Sequence, residues 1–423
     1  MDELRVLHVA DLHIDSPMRG LVPYEDSPVD AIRSATRSAF RSIVTEAIEH
    51  EVHLVVIAGD LYDGSWRDYN TGIFVVSQLA ELNESGIPVA IVLGNHDAES
   101  VVTKQLRLPP HTVLLSSSKP ETWVVGETGI AVHGQSYADR AIFEDLSLGY
   151  PNADPGLVNI GMLHTCFDGS IGHEPYAPCT LDGLRAKNYD YWALGHVHGY
   201  TVICEEPLAV FPGNLQGRNV RETGAKGSCL VTFEDRHPRV ERLLNNLVRW
   251  EHVNINVSDA RSLDDCLDRC RDELSKAITT GAEIYAIRVE FDGTSPANRV
   301  LRSQSEHLTA EVRTLANNLG GTEIWIEKVV VSTKPVRGSL QFTGDGVAGE
   351  IGRVLADLQS DVPSLARIDG PRLPELSSLR SQLRAAGPEM RDSLNDEDLG
   401  EALGDAAELL AALLGGEERI NAN

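Results

Sequence analysis

Residues 92–97 read VLGNHD and complete the apolar run PVAIVL. A short apolar run bounded by turn-forming residues is typical of a buried strand. A strand on its own has no need for three polar side chains directly behind one glycine. The same pattern recurs along the first half of the chain, and it indicates both a fold and a site.

Short apolar runs follow one another from the first residues to about residue 233. They read RVLHVA (5–10), LVVIAG (54–59), PVAIVLG (88–94), GIAVHG (129–134), LVNIGML (157–163), YDYWALG (189–195), LAVFPG (208–213) and GSCLVTF (227–233). The first two gaps, 29–50 and 69–84, carry apolar residues at helical spacing. This order predicts an α/β layer structure with a mostly parallel core. The later strands have no long helices between them, so the sheet becomes mixed or is paired with a second one.

The pattern divides the chain into three parts. Residues 1–246 form the α/β part, and 247–335 predict a small α+β capping domain of β-α-β-α-β order, with one helix over about 298–318. Residues 336–423 are rich in Gly, Pro and Ser and predict a helical C-terminal region. Its last stretch, 395–418, holds eight acidic and no basic side chains. A helix packed on its own domain and a partner-docking helix explain that stretch equally well.

Composition limits the class of protein. The chain has 423 residues, 42% apolar and 24% charged, as in ordinary globular proteins. We expect no membrane span, because no apolar run approaches ~18–20 residues, and no secretion signal. Six scattered cysteines without a CxxC pair predict reduced thiols and a cytoplasmic protein. The formal net charge of −26 repels a polyanion and, taken alone, argues against nucleic-acid binding.

Metal-binding side chains stand where the predicted strands end. They are Asp11, His13, Asp60, Asn95, His164, His196 and His198. Ligands bind beyond the carboxyl ends of strands in open α/β sheets, so these side chains can meet in one crevice. Carboxylate, imidazole and amide donors without thiolate suit divalent cations that keep water ligands. Seven donors are too many for one ion, so we predict two divalent ions with Asp60 as the candidate bridge, an arrangement that serves phosphoryl displacement.

The polar residues of the stretch 92–97 can now be given separate roles. Gly94 lets the backbone turn sharply at the end of the strand, so that Asn95 can face a metal. His96 points elsewhere and can donate a proton to a leaving group. Asp97 is expected to hold the His96 ring in one orientation. Asp63, close to this set, is interpreted as a turn residue.

A local basic patch lies in FPGNLQGRNVRETGAKG (211–227), where Arg218, Arg221 and Lys226 stand against Glu222. Arg218 and Arg221 are candidates for contacts with nucleic-acid phosphates. A solvated β-hairpin explains the stretch equally well.

These residues resemble the calcineurin-like metallophosphoesterase superfamily, whose motifs follow in the order D-x-H, G-D, G-N-H-[DE], H and G-H-x-H. The chain meets them with DLH (11–13), GD (59–60), GNHD (94–97), LH (163–164) and GHVH (195–198). DLHIDSPMRGL, YWALGHVH and PGNLQGRNVRETGAKG are similar to bacterial DNA repair exonucleases of the SbcD/Mre group, above all to its YhaO-like branch. SbcD proper has glycine where this chain has Asp15.

The resemblance implies a β-sandwich flanked by helices in α/β/β/α layers, two Mn²⁺ ions and His96 as the acid. By position, one ion is held by Asp11, His13, Asp60 and His198, and the other by Asp60, Asn95, His164 and His196. It also implies 3′ exonuclease and single-stranded DNA endonuclease activity in DNA repair, a homodimer, and an SMC-like ATPase partner of the SbcC/Rad type.

Two other functions remain open. A phosphoesterase of the same chemistry could act on a nucleotide or other small phosphodiester, and a non-catalytic scaffold could assemble an ATPase. The scaffold would be favoured by loss of a ligand or of His96, yet every motif position is filled. If DNA is the substrate, the net charge predicts that the isolated chain is a slow, salt-sensitive nuclease and that its DNA affinity comes largely from a partner.

Overall fold

The computed structural model describes residues 3–16, 28–63, 69–98, 107–167, 176–244, 247–278, 281–320 and 323–336, with Glu350, Arg353, Val354 and Asp357. The acidic helix predicted over 395–418, like almost all of the predicted C-terminal region, lies outside the described residues. All six cysteines are free thiols. None of the described helices is both long and apolar enough to cross a membrane.

The first sheet has the strand order β12-β11-β1-β2-β3-β4. Its strands are β1 (Leu4–Val9), β2 (Leu54–Ala58), β3 (Val89–Val92), β4 (Thr112–Leu114), β11 (Gly227–Glu234) and β12 (His237–Leu244). Strands β1 to β4 run parallel, and β11 and β12 extend the sheet in antiparallel fashion. The carboxyl ends of β1, β2 and β3 therefore meet at one edge of the sheet.

The second sheet has the strand order β5-β6-β7-β8-β10-β9. Its strands are β5 (Glu121–Val124), β6 (Ile130–Gly134), β7 (Val158–His164), β8 (Tyr191–Gly195), β9 (Thr201–Glu205) and β10 (Leu208–Phe211). Strands β6, β7, β8 and β10 are parallel, and the edge strands β5 and β9 are antiparallel to their neighbours.

Alternate residues along the strands belong to two different hydrophobic cores, because successive side chains point to opposite faces of a sheet. Val6, Val56 and Val92 are buried in one cluster with Ile160 and Tyr191, which joins the two sheets. On the other face of the first sheet, a second cluster includes side chains of the helices α1 (Val29–Glu49) and α2 (Tyr69–Glu84). The short helix α3 (Asn95–Ala98) follows β3.

Short elements cover the outer face of the second sheet. Leu184 of α4 (Leu181–Arg185) is buried with Trp192 and Leu194, and Leu146 of the 3₁₀ helix Leu146–Gly149 packs against them. The fold is therefore the predicted sandwich in α/β/β/α layers, with a thin second helical layer. Strands β5, β9 and β12 have mostly exposed or half-exposed side chains, so they carry no apolar run that the sequence could reveal.

A third sheet joins β13 (Val248–Asn256), β14 (Ile284–Asp292) and β15 (Glu323–Val331) in that order. Its helices are α5 (Leu263–Ala277), α6 (Asn298–Ser303) and α7 (Ser305–Asn318). The single helix expected over 298–318 was wrong, because Gln304 leaves the helical region with φ −118° and ψ 35°.

The chain divides into two compact units. The first holds residues 1–252, 278–287 and 320–327, and in it Trp250 and Trp325 are buried beside Ile32 of α1. The second includes residues 253–277 and 288–319, in which α5 packs against α7. The domain boundaries after residues 246 and 335 stay predictions.

His8 is a buried polar group between the two sheets. Its Nδ1 lies 2.8 Å from the hydroxyl of Tyr191, across the sandwich. Burial lowers the pKa of His8 from 6.5 to about 3. As the pH falls below 6.5, His8 takes up a proton in the unfolded chain, whereas in the folded chain it stays neutral down to about pH 3. The free energy of unfolding therefore decreases as the pH falls through this window.

Replacing His8 by Gln keeps a polar partner for Tyr191 and removes this titration. Between pH 6.5 and about 3, we expect the wild-type free energy of unfolding to fall more steeply than that of His8→Gln, by up to ~1.4 kcal/mol per pH unit. Urea unfolding at several pH values in this window measures both slopes. Equal slopes in the two proteins would contradict the proposed burial of a neutral imidazole.

Candidate metal centre

The loops after β1, β2 and β8 carry their polar side chains on strained backbone. Asp11, His13, Asp60 and His196 have φ values of 50°, 42°, 53° and 104°. Non-glycine residues rarely adopt such values, and where they do the surrounding structure must hold them. Here the loop after β1 hydrogen-bonds to the loop after β2, with Asp11 N–H donating to Gly59 O at 3.0 Å and His13 N–H to Asp60 O at 2.9 Å.

Two glycines allow the strand ends to approach closely. A Cβ on Gly94 would lie 2.3 Å from Asp60 Oδ1, and one on Gly195 would lie 1.8 Å from the carbonyl oxygen of Ala58. No side chain fits at those distances. The glycine of GNHD is therefore needed for the approach of the neighbouring carboxylate, beyond the sharp turn that the sequence suggested.

Three of the predicted ligands form one group at the ends of β1 and β8. Asp11, His13 and His198 each offer a donor atom within 4.8 Å of the others. His13 Nε2 lies 3.3 Å from His198 Nε2, which in turn lies 3.9 Å from Asp11 Oδ1. Two imidazole nitrogens cannot direct lone pairs at each other this closely without a proton or a cation near both.

The other predicted ligands meet beside this group. His164 Nε2 lies 3.0 Å from Asn95 Oδ1 and 3.4 Å from Asp60 Oδ2. The ring of His196 is centred 5.2 Å from that of His164. The backbone N–H of His196 also donates to the Asp11 carboxylate at 3.0 and 3.1 Å.

Asp60 lies between the two groups. Its Oδ2 is 3.4 Å from His164 Nε2 and 3.8 Å from His13 Nε2. Burial raises the pKa of Asp60, but the neighbouring histidines outweigh burial and hold that pKa well below its usual range. Burial lowers the pKa of His164, and the charge of Asp60 reverses this and raises it to about 9. The carboxylate of Asp60 therefore stays ionised, as a bridging ligand must.

The role expected for Asp97 was wrong. Its buried carboxylate accepts hydrogen bonds from the backbone N–H groups of Leu61, Tyr62 and Gly94 at 3.0 to 3.1 Å, and so joins the loop after β2 to that after β3. A carboxylate that receives three backbone donors is directed away from the neighbouring ring of His96. Asp97 thus organises the backbone of the centre.

Asp63 takes the place expected of Asp97. Its Oδ1 lies 3.0 Å from His96 Nδ1, and its Oδ2 accepts a 2.6 Å hydrogen bond from the Ser16 hydroxyl. Burial lowers the pKa of His96, but the hydrogen bond that His96 donates to Asp63 and the charge of Asp60 outweigh burial and raise that pKa. The sequence interpretation of Asp63 as a turn residue missed this contact. The spacing of Asp60 and Asp63 in one loop was the signal available.

The structure separates the two candidate phosphate-binding arginines. Arg218 is largely buried and donates from Nη2 to Glu222 Oε1 at 2.6 Å, while its Nη1 lies 4.0 Å from Asp63 Oδ2. Lys226 is buried and donates to the carbonyl oxygen of His198. The side chain of Arg221 is exposed. The loop thus turns two of its three cations inward, and a solvated hairpin does not describe it.

This site lies at the strand ends of a calcineurin-like phosphoesterase, whose family model matches residues 4–200. A second model, the middle domain of metallophosphoesterase YhaO, matches residues 250–334. The uncharacterized metallophosphoesterase YhaO of Bacillus subtilis (strain 168) is 32% identical over 300 residues, which are 70% of this chain and 73% of that one. The chain belongs to the YhaO family of metallophosphoesterases.

More distant relatives are described as DNA double-strand break repair protein Mre11. The protein of Sulfurisphaera tokodaii is 24% identical over 273 residues, covering 62% of this chain and 68% of its own. The protein of Methanopyrus kandleri is 26% identical over 324 residues, which cover 69% of this chain and 66% of that protein.

Membership of this family makes the chain a metal-dependent phosphoester hydrolase, and the donors fit divalent ions. Imidazole nitrogen, carboxylate oxygen and one amide oxygen converge, and thiolate is not among them. Asp11, His13 and His198 would hold one ion, and Asn95, His164 and His196 the other. Asp60 has an oxygen near both groups and would bridge them.

Removal of Asp60 tests the bridge. We expect Asp60→Ala to lose both ions, since it leaves each group one carboxylate short and the groups without a shared ligand. Metal content of the purified protein after loading with Mn²⁺ and dialysis gives the result, with the exposed Asp30→Ala as the matched control. Retention of one ion at full occupancy would rule out a bridging role.

Removal of Asp63 tests the support of His96. Asp63 raises the pKa of His96, so Asp63→Ala should lower it. An acid works only while protonated, and the alkaline limb of the kcat profile should therefore move to lower pH. A profile measured on a phosphodiester with an alkoxide leaving group shows the shift, and the exposed Asp139→Ala is the control. An unmoved limb with unchanged kcat would refute the pairing.

Proposed function

We propose that this protein is a Mn²⁺-dependent DNA nuclease, acting as a 3′ exonuclease and single-stranded DNA endonuclease in DNA repair. The observation that carries the proposal is the position of His96. It is held by Asp63 at the edge of a centre in which Asp60 lies between two groups of ligands. Such a centre is built to break a phosphoester bond and to protonate the oxygen that leaves.

The side chains divide the work. Two bound divalent ions would supply an activated water and neutralise charge on the phosphoryl group. His96 engages Asp63 through Nδ1, which leaves Nε2 to donate its proton to the leaving oxygen. The Asp60 carboxylate accepts the backbone N–H of His96 at 3.0 Å and so fixes the residue beside the ligands. Arg218 Nη1, near Asp63, is placed to contact a non-bridging phosphate oxygen.

DNA as the substrate is supported by the Mre11 relatives and by the loop that carries Arg218 and Arg221. Arg218 lies near the reacting phosphate, and the exposed Arg221 three residues on can reach a phosphate further along a strand. Manganese is the metal that the resemblance to the SbcD/Mre group implies, and the mixed nitrogen and oxygen donors are compatible with it.

Charge supports the participation of partners. At a net charge of −26 the isolated chain repels DNA away from its metal centre, so binding at physiological salt needs a basic surface from elsewhere. We infer that an SMC-like ATPase of the SbcC/Rad type supplies it. The resemblance to the SbcD/Mre group further implies a homodimer, and we propose it on that ground.

A second candidate is a phosphoesterase acting on a nucleotide or other small phosphodiester. The inward turn of Arg218 and Lys226 favours it, because a loop with one exposed cation offers a polyanion little surface. The assay that separates the candidates uses end-labelled single- and double-stranded DNA beside bis(p-nitrophenyl) phosphate. Hydrolysis of the ester with DNA untouched, even when the ATPase is added, would overturn the nuclease proposal.

The leaving group distinguishes an acid from a ligand. His96→Ala should keep both ions and lose about 10²–10⁴-fold in kcat on DNA, whose alkoxide leaving group needs a proton. It should lose far less on bis(p-nitrophenyl) phosphate, because p-nitrophenolate leaves without one. His111→Ala, at an exposed histidine, is the control. Loss of metal, or equal losses on the two substrates, would exclude the role of acid.

Replacing Arg218 and replacing Arg221 should affect the hydrolysis of different substrates. Arg221→Ala should raise KM for a single-stranded oligonucleotide and weaken its salt dependence, with hydrolysis of bis(p-nitrophenyl) phosphate unchanged. Arg218→Ala should slow the hydrolysis of both substrates, because Arg218 lies at the metal centre. Steady-state kinetics at two salt concentrations decide the matter. An Arg221→Ala variant with unaltered oligonucleotide kinetics would show that the strand does not pass over this loop.

A further inference from the structure

Glu222 receives more hydrogen bonds than a simple ion pair requires. Its Oε1 lies 2.9 Å from His198 Nδ1 and accepts from Arg218 Nη2 at 2.6 Å. Its Oε2 accepts from the backbone N–H of Arg218 at 2.8 Å and from Asn214 Nδ2 at 3.0 Å. The side chain is 9% exposed. The carboxylate thus lies between a histidine and a guanidinium, and a backbone N–H and an amide donate to it as well.

The contact with His198 fixes the ring of a metal ligand. A carboxylate that pairs with a guanidinium accepts hydrogen bonds, so His198 donates to Glu222 from Nδ1. The lone pair of Nε2 is then directed toward His13 and Asp11, which lie 3.3 and 3.9 Å away. Such an outer partner sets both the tautomer and the orientation of a ligating histidine.

The contact with Arg218 orients the guanidinium. Glu222 takes its Nε and Nη2, so the remaining nitrogen, Nη1, is turned toward Asp63 at 4.0 Å. One carboxylate thus aligns a metal ligand with a cation at the place where a phosphate oxygen must lie.

The loop that carries Glu222 is fixed by β13. The side-chain amide of Gln216 exchanges two hydrogen bonds with the backbone of Val248, at 2.6 and 3.3 Å. Trp250 donates from its indole N–H to Gly217 O at 2.9 Å, and Gly224 N–H donates to Trp250 O at 3.0 Å. The loop has little freedom, so the position of Glu222 is built into the fold.

We infer that Glu222 is a positioning residue that couples the ion held by His198 to the phosphate contact of Arg218. The inference rests on the proposed two-ion hydrolysis and adds a residue that sets the metal affinity and the phosphate affinity together. A purely structural role, as the buried partner of Arg218, would lower stability and leave the metal affinity of the folded protein unchanged.

The test measures Mn²⁺ binding by titration calorimetry on the full chain, with circular dichroism as the check of folding. Glu222→Ala should weaken one of the two Mn²⁺ ions by about 10–100-fold. Glu222→Gln keeps an oxygen that accepts from Nδ1–H, and its Mn²⁺ affinity should stay within about threefold of wild type. Glu205→Ala, at an exposed glutamate, is the control.

Arg218→Ala separates the two contacts. It should bind Mn²⁺ within about threefold of wild type, yet lose affinity for inorganic phosphate in the Mn²⁺-loaded protein, as Glu222→Ala also should. The inference is overturned if Glu222→Ala binds Mn²⁺ as Glu205→Ala does, if Glu222→Gln loses as much as Glu222→Ala, or if Arg218→Ala loses Mn²⁺ equally. Because these measurements use no DNA, the inference about Glu222 can fail while the nuclease proposal holds, and the reverse.

Discussion

The buried carboxylate of Asp60 is the group on which the rest of the site depends. One oxygen lies between His13 and His164, and the other accepts the backbone N–H of His96. A buried charge without partners would be costly, so this carboxylate needs the histidines and the backbone N–H group that the strand ends bring to it. The parallel order of β1, β2 and β3 places three of those ends at one edge, and β7 and β8 of the second sheet bring His164, His196 and His198. The sandwich is therefore the device that assembles ligands from distant parts of the chain.

The backbone around this carboxylate is strained, and hydrogen bonds between the loops hold it in place. Asp11, His13 and Asp60 keep left-handed backbone because their loops hydrogen-bond to one another. Asp97 adds to this support by receiving three backbone N–H groups from two loops. Rigid support has a chemical purpose, since displaced ligands or a displaced acid would lose the geometry on which hydrolysis depends.

The apolar runs predicted the central strands because buried parallel strands are apolar on both faces. The seven candidate ligands could be named for a related reason, since each lies within three residues of the end of such a run. The role of Asp63 could not be deduced in this way, because its contact with His96 depends on how two loops cross. The same holds for Glu222, which lies 24 residues from His198 in sequence and meets it through a loop that no periodicity describes. Asp97 was misread because adjacency in sequence was taken for contact in space.

The most direct measurement is a crystal structure of the Mn²⁺-loaded protein with an anomalous difference map. We expect two peaks about 3.5–4 Å apart. One should lie among Asp11, His13 and His198 and the other among Asn95, His164 and His196, with Asp60 between them. His96 should remain bound to Asp63 and off both ions. A single peak would rule out the bridged pair of ions, and a peak ligated by His96 would rule out a separate acid.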